Sequence, residues 1–128
     1  MIRLYLFAGF VMSAGFMVAL PNAAVAGEAD VVKVAVTESA PGSFRFDVSV
    51  RHDDEGWDHY ANAWQVVGPN GGVLGERVLL HPHETEQPFT RSLSGVAVPD
   101  EIKTVTIRAK DSVHEFGGKE MSVDLPDR

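Results

Sequence analysis

Nine consecutive residues, His52-Asp53-Asp54-Glu55-Gly56-Trp57-Asp58-His59-Tyr60, carry two histidines, four carboxylates and an indole. Imidazole nitrogen and carboxylate oxygen are the donors with which proteins hold divalent metals. A second stretch, His81-Pro82-His83-Glu84-Thr85-Glu86-Gln87-Pro88, adds another imidazole pair. Proline disfavours the helical region for the residue before it, so His81 is predicted to be extended, and side chains two apart on an extended chain face the same way. A third stretch, Asp111 to Gly118, contributes Asp111, His114 and Glu115. These three stretches hold all five histidines of the chain.

The spacing makes His81 and His83 the leading ligand pair. His52, His59 or His114 would supply a third nitrogen, and a carboxylate or water the fourth donor. Such a set suits Cu(II), Zn(II) or Ni(II). Cu(I) fits less well, because beyond the first 26 residues the chain has one methionine, Met121, and it has no cysteine at all. Calcium would draw on Asp53, Asp54, Glu55 and Asp58, but their spacing is not that of an EF-hand loop. Simpler roles stand beside these. His52 continues the outward-facing rhythm of the preceding strand loosely and would cap its end. His59 would bond locally beside Tyr60, and His114 would face solvent at a hairpin tip. Trp57 is expected to plug the end of the domain.

The elements that must position these loops are strands. Val31 to Thr37 is rich in β-branched residues. Ser43 to Arg51 alternates without a fault, with Phe44, Phe46, Val48 and Val50 on one face. Ala61 to Val67 resumes β character around Trp64. Gly68-Pro69-Asn70-Gly71-Gly72 then turns the chain into Val73 to Leu80. Phe89 to Leu93 is shorter. Ile102 to Lys110 places Val105, Ile107 and Ala109 on one face, and Met121, Val123 and Leu125 alternate in a last strand. Helical periodicity is absent beyond the first 26 residues.

Seven short strands with frequent turn signals predict an all-β, antiparallel, seven-stranded sandwich. Thr104 to Asp111, followed by a Gly-rich turn and a last alternating strand, resembles the closing hairpin of immunoglobulin-like and fibronectin-type-III-like domains. The Cys-Trp-Cys signature and tyrosine corner of those domains are missing, so the resemblance is one of architecture. It implies that Trp64 is a core residue. It also implies that the three histidine-bearing loops emerge at the same end.

Charge points to that end as well. Without Arg3 the chain carries ten basic and eighteen acidic side chains, a net charge of −8. The three loops hold eight of those acids, namely Asp53, Asp54, Glu55, Asp58, Glu84, Glu86, Asp111 and Glu115, with no Lys or Arg. The remainder balances, so the whole excess would sit at one end and attract cations. Nucleic acid and anionic membrane are disfavoured as partners.

Arg3 precedes an uncharged apolar run from Leu4 to Leu20, and Ala24-Val25-Ala26 fits signal-peptidase specificity. Residues 1–26 are therefore read as a signal peptide cut before Gly27, leaving 27–128 as one domain without a membrane anchor, periplasmic or secreted. The lack of cysteine rules out a lipoprotein thioether, disulfides, blue copper and iron–sulfur clusters. No hydrolase, metalloprotease or phosphate-loop motif is present, so no enzymatic activity is expected. Copper–zinc superoxide dismutase shares a sandwich and a His-x-His pair, yet its disulfide cysteines and remaining ligands have no counterpart here. Two functions remain. One is an exported protein holding Cu(II) or Zn(II). The other is a non-catalytic module whose loops, with Trp57 and Tyr60, bind a periplasmic protein or a glycan.

Overall fold

The computed structural model describes residues 27–128; the expected signal peptide and its cleavage motif lie outside the described residues. The chain runs through β1 (Asp30–Ala40), β2 (Ser43–Arg51), a 3₁₀ turn at Gly56–Asp58, β3 (Ala61–Val67), β4 (Val73–Val78), β5 (Phe89–Ala97), β6 (Thr104–Asp111), β7 (Glu115–Phe116) and β8 (Met121–Asp124). Three strands form one sheet in the order β1-β2-β5. The second sheet has the order β4-β3-β6-β7, with β8 also paired to β6. Every pairing is antiparallel.

The two sheets close on a single apolar layer, because alternation along β2 and β6 gives each of these strands one greasy face. From β2 come Phe44, Phe46, Val48 and Val50, all at 0% exposure, and opposite them stand Trp64 and Val66 of β3 with Val105, Ile107 and Ala109 of β6. Complete burial of such a side chain is worth about 1.5–3 kcal/mol, so this layer dominates stability. Trp64 lies in it as anticipated.

The differences from the expected strands have local causes. The short β7 is an additional strand, formed where the chain touches the end of β6 before leaving it, with Lys110 opposite Phe116 and Asp111 opposite Glu115. β4 ends at Val78 rather than Leu80, and Leu80 projects into solvent at 74% exposure. β5 runs on to Ala97, passing a register irregularity opposite Phe44–Phe46 by placing Gly95 at φ 70°. Glycine reaches that left-handed region without a Cβ clash.

The start of β1 binds across to the second sheet. Val31 N–H donates to the Lys119 carbonyl at 2.8 Å, and Lys119 N–H donates to Asp30 Oδ1 at 2.7 Å. Ala29 is fully buried beneath this contact, and any Cβ at Gly118 would collide with its carbonyl. Residues Glu28 to Val31 are thereby held against the β7–β8 connection.

Candidate functional site

Strand register explains the site. The inward face of β2 reads Phe44, Phe46, Val48, Val50, and the next residue in that rhythm is His52. On β3 the core-facing residues are Trp64 and Val66, but a register irregularity between Ala61 and Ala63 resets the alternation and turns Ala61, and with it His59 two residues earlier, toward the core. On β6 the series Val105, Ile107, Ala109 ends in Asp111. Each of the three polar residues continues a core face by one step, and each is buried, with 2%, 8% and 1% exposure respectively. They meet over the end of the apolar layer, where one ligand atom from each lies within 4.8 Å of the others. His52 thus belongs to the inward rhythm of its strand, correcting the outward assignment.

Hydrogen bonds fix the rings. His52 Nδ1 is 2.6 Å from Asp54 Oδ1, and its Nε2 is 2.8 Å from the Gly27 carbonyl. Asp54 Oδ1 also accepts the Ala61 amide at 2.9 Å, and Oδ2 accepts the His83 amide at 2.7 Å. An acceptor so engaged is a carboxylate, so Nδ1 of His52 carries a proton and donates it. Nε2 then faces a carbonyl, an arrangement that is favourable only when this nitrogen carries a proton or another cation. The His52 and His59 rings meet edge-on at 4.7 Å, and the His59 and His114 rings lie 4.9 Å apart.

Asp111 is unevenly used. Its Oδ1 accepts the amides of Val113 (2.9 Å) and His114 (2.8 Å) and contacts His59 Nε2 (3.0 Å) and His114 Nδ1 (3.1 Å). Its Oδ2 is buried and has no hydrogen-bond partner among the described residues. Burial by itself would raise the pKa of this carboxyl, but the His114 and Val113 amides and the neighbouring His114 and His52 rings outweigh it and hold the pKa below its ordinary value. Asp111 is therefore an anion with one bare oxygen, in an interior where such atoms are seldom left unpaired.

His81 and His83 do approach each other, with ring centroids 4.6 Å apart, as their extended spacing requires. Their surroundings suit a cation less well. His83 is stacked on Phe89 at 4.0 Å, and its Nε2 lies 2.9 Å from Arg91 Nη2, so a guanidinium already faces that nitrogen. Burial, then Arg91 and His81, lower the pKa of His83 and favour its neutral form. His83 Nδ1 is buried without a partner among the described residues, whereas His81 is exposed and its Nδ1 lies 3.0 Å from the Pro82 carbonyl.

The three loops do converge. Asp54 joins the first to the second through the His83 amide, Gln87 Oε1 accepts the His52 amide at 3.0 Å, and Ser112 N–H donates to the Tyr60 carbonyl at 3.0 Å. Of the residues expected to form an exposed binding surface, Asp53, Glu55, Trp57, Asp58, Glu84, Glu86 and Glu115 are exposed and Tyr60 is half-buried. Asp54 and Asp111 have side chains at 0% exposure, because backbone amides draw both carboxylates inward; they are internal, not surface, groups. Trp57 is no plug. It is 67% exposed and touches Tyr60 edge-on at 5.6 Å, since the 3₁₀ turn carries it outward while His52, His59 and Asp111 cap the core.

Sequence reasoning missed Arg91, Gln87 and the Gly27 carbonyl. The register of β2 and β6 could have revealed that His52 and Asp111 point inward; nothing in the local sequence marked the other three.

The chain is similar to a protein of Halomicrobium mukohataei named "Putative lipoprotein", at 43% identity over 97 residues, which cover 76% of this chain and 47% of the relative. The chain thus spans about half the length of the curated relative it matches. No family model matches the chain, and no solved structure matches it.

Proposed function

We propose that residues 27–128 form an exported, non-catalytic β-sandwich domain, periplasmic or secreted, that binds a divalent transition metal, Cu(II) or Zn(II), through His52, His59 and Asp111, with His114 alongside. The observation that carries this reading is the buried His-His-Asp cluster in which Asp111 Oδ2 lacks any partner among the described residues. A metal ion would satisfy that oxygen and would replace the proton otherwise needed at His52 Nε2. Asp54 on Nδ1 of His52 is the kind of carboxylate that orients a ligating imidazole and raises its basicity. The sheet order, with β7 and β8 taken as one interrupted final strand, supports an immunoglobulin/fibronectin-III-like topology. The name of the Halomicrobium relative supports export to the cell envelope. With no cysteine, these 128 residues offer no thiol for a lipid of their own. The acidic end argues against nucleic acid or anionic lipid as partner.

Calorimetric titration of the purified protein with Cu(II) and Zn(II) tests the reading. His59→Ala and Asp111→Asn each abolish binding, while His81→Ala leaves it intact. Equal binding by wild type and His59→Ala would refute it.

A second reading has its own observation. Trp57, Leu80 and Val113 are 67%, 74% and 56% exposed on the three converging loops, a composition that suits contact with a protein or glycan partner. Capture of a single partner that is lost with Trp57→Ala and is indifferent to chelator would favour it.

A further inference from the structure

Resting on the metal-site reading above, we propose that cleavage between Ala26 and Gly27 completes the site, the new α-amine of Gly27 becoming an additional nitrogen ligand of Cu(II). Three observations bring the start of this segment to the site. The Gly27 carbonyl is 2.8 Å from Nε2 of His52, the ring nitrogen left for a cation once Asp54 has taken Nδ1. The segment behind it is anchored: Ala29 is fully buried, Asp30 accepts the Lys119 amide, and Val31 donates to the Lys119 carbonyl. A cleft of about 270 Å³, lined by Gly27, Glu28, Asp30, Arg51, His52 and Asp53, opens beside His52, giving the terminus room and an acidic surround.

The chemistry follows from the residue itself. Amine nitrogen and carbonyl oxygen of one glycine can close a five-membered chelate ring on a metal ion. With His52 and His59 the amine gives a nitrogen-rich set, which Cu(II) favours over the harder divalent ions. While Gly27 is still joined to Ala26, its nitrogen is a planar amide with no basic lone pair to offer. The site is then short of a ligand. Export and metal loading become sequential: the protein acquires its full affinity only after the leader is removed.

The test compares two forms of the same protein, one cut to begin at Gly27 and one with an N-terminal extension left in place, each with and without His59→Ala. Cu(II) affinity is read by competition with a chromophoric chelator, and the coordinated nitrogens by electron paramagnetic resonance. The form beginning at Gly27 binds Cu(II) tighter, by at least the roughly 10–100-fold that loss of a group supporting a ligand costs, and shows one more nitrogen coupling. Equal affinity and equal spectra in the two forms, with both weakened by His59→Ala, would overturn the amine ligand and leave the histidine–aspartate site standing. Absence of Cu(II) binding in both forms would sink both readings. An intact mass for the exported protein that starts anywhere other than Gly27 would also overturn the inference.

Discussion

Replacing Asp111 by asparagine separates the structural work of this carboxylate from its proposed ligand role. The amide oxygen can still accept from Val113 and His114, so the loop keeps its shape, but the charge is gone. Hydrogen bonds to a charged acceptor contribute about 1.5–3 kcal/mol each, against about 0.5–1.5 for neutral pairs, a difference near 1 kcal/mol per bond. Two backbone amides donate to Oδ1, at 2.9 and 2.8 Å. Metal-free Asp111→Asn should therefore be less stable by roughly 2 kcal/mol, a fall in Tm on the order of 10 °C for a domain of this size. Metal adds a separate quantity. A single-site ligand at a hundred times its Kd stabilises the native state by about 2.7 kcal/mol. Denaturant unfolding with and without Zn(II), at matched free metal, reads both. Wild type gains the metal increment and Asp111→Asn gains almost none. An equal gain in the two proteins would show that Asp111 is not a ligand. No metal-free destabilisation would show that its hydrogen bonds are not charge-assisted in the way the geometry implies.

Further expectations concern acid, the core and the amino-terminal segment. His83 has a lowered pKa, so the folded ring stays neutral where the unfolded one takes up a proton. Its contribution is complete above about 6.5 and is lost as pH falls below that value. The lowered Asp111 carboxyl contributes above about 3.9 and loses its effect as pH falls further. Urea midpoints of the metal-free protein should decline below about pH 6.5, with Asp111→Asn flattening only the more acidic part of the curve; a decline unchanged by that substitution would contradict this. Phe46→Ala, in the fully buried layer, should cost about 3–5 kcal/mol in unfolding free energy. Trp57→Ala should shift it by no more than about 0.5 kcal/mol, because the indole is mostly in solvent. Gly118→Ala pushes a methyl group into the Ala29 carbonyl, so hydrogen exchange at the Val31 and Lys119 amides should accelerate while β2 stays protected.

Much of the fold was legible because binary patterning is a local property. Ser43–Arg51 begins and ends where its alternation does, and Ala61–Val67 where β character resumes around Trp64. The meeting of the three loops followed from strand parity. What alternation could not supply was which histidine wins the interior. His81 and His83 have the more suggestive spacing, but β5 raises Arg91 against His83, a contact between positions eight apart that no short motif encodes. Asp54 reads as one acid among several in a polar loop. Its selection as the buried one depends on donors from Ala61 and His83, which only the folded chain brings together. His52 and Asp111 were within reach of the sequence, because each keeps the period of the strand it follows or ends. The break in composition from apolar to polar concealed that continuity.

Asp54 has one further consequence, for how this end of the molecule can change. Its two oxygens tie the base of the first loop to His52, to the start of β3 and to the second loop, the Glu55 amide closes the loop on the His59 carbonyl at 2.7 Å, and the side chains of Asp53, Glu55, Trp57 and Asp58 are left exposed. Gly56, Trp57 and Asp58 thus form a tip that is spanned at its base by this backbone bond. New residues, or a longer excursion, could be grafted between Glu55 and Asp58 and would alter what the tip touches without shifting the imidazoles below it, so the same frame could be refitted to a different partner.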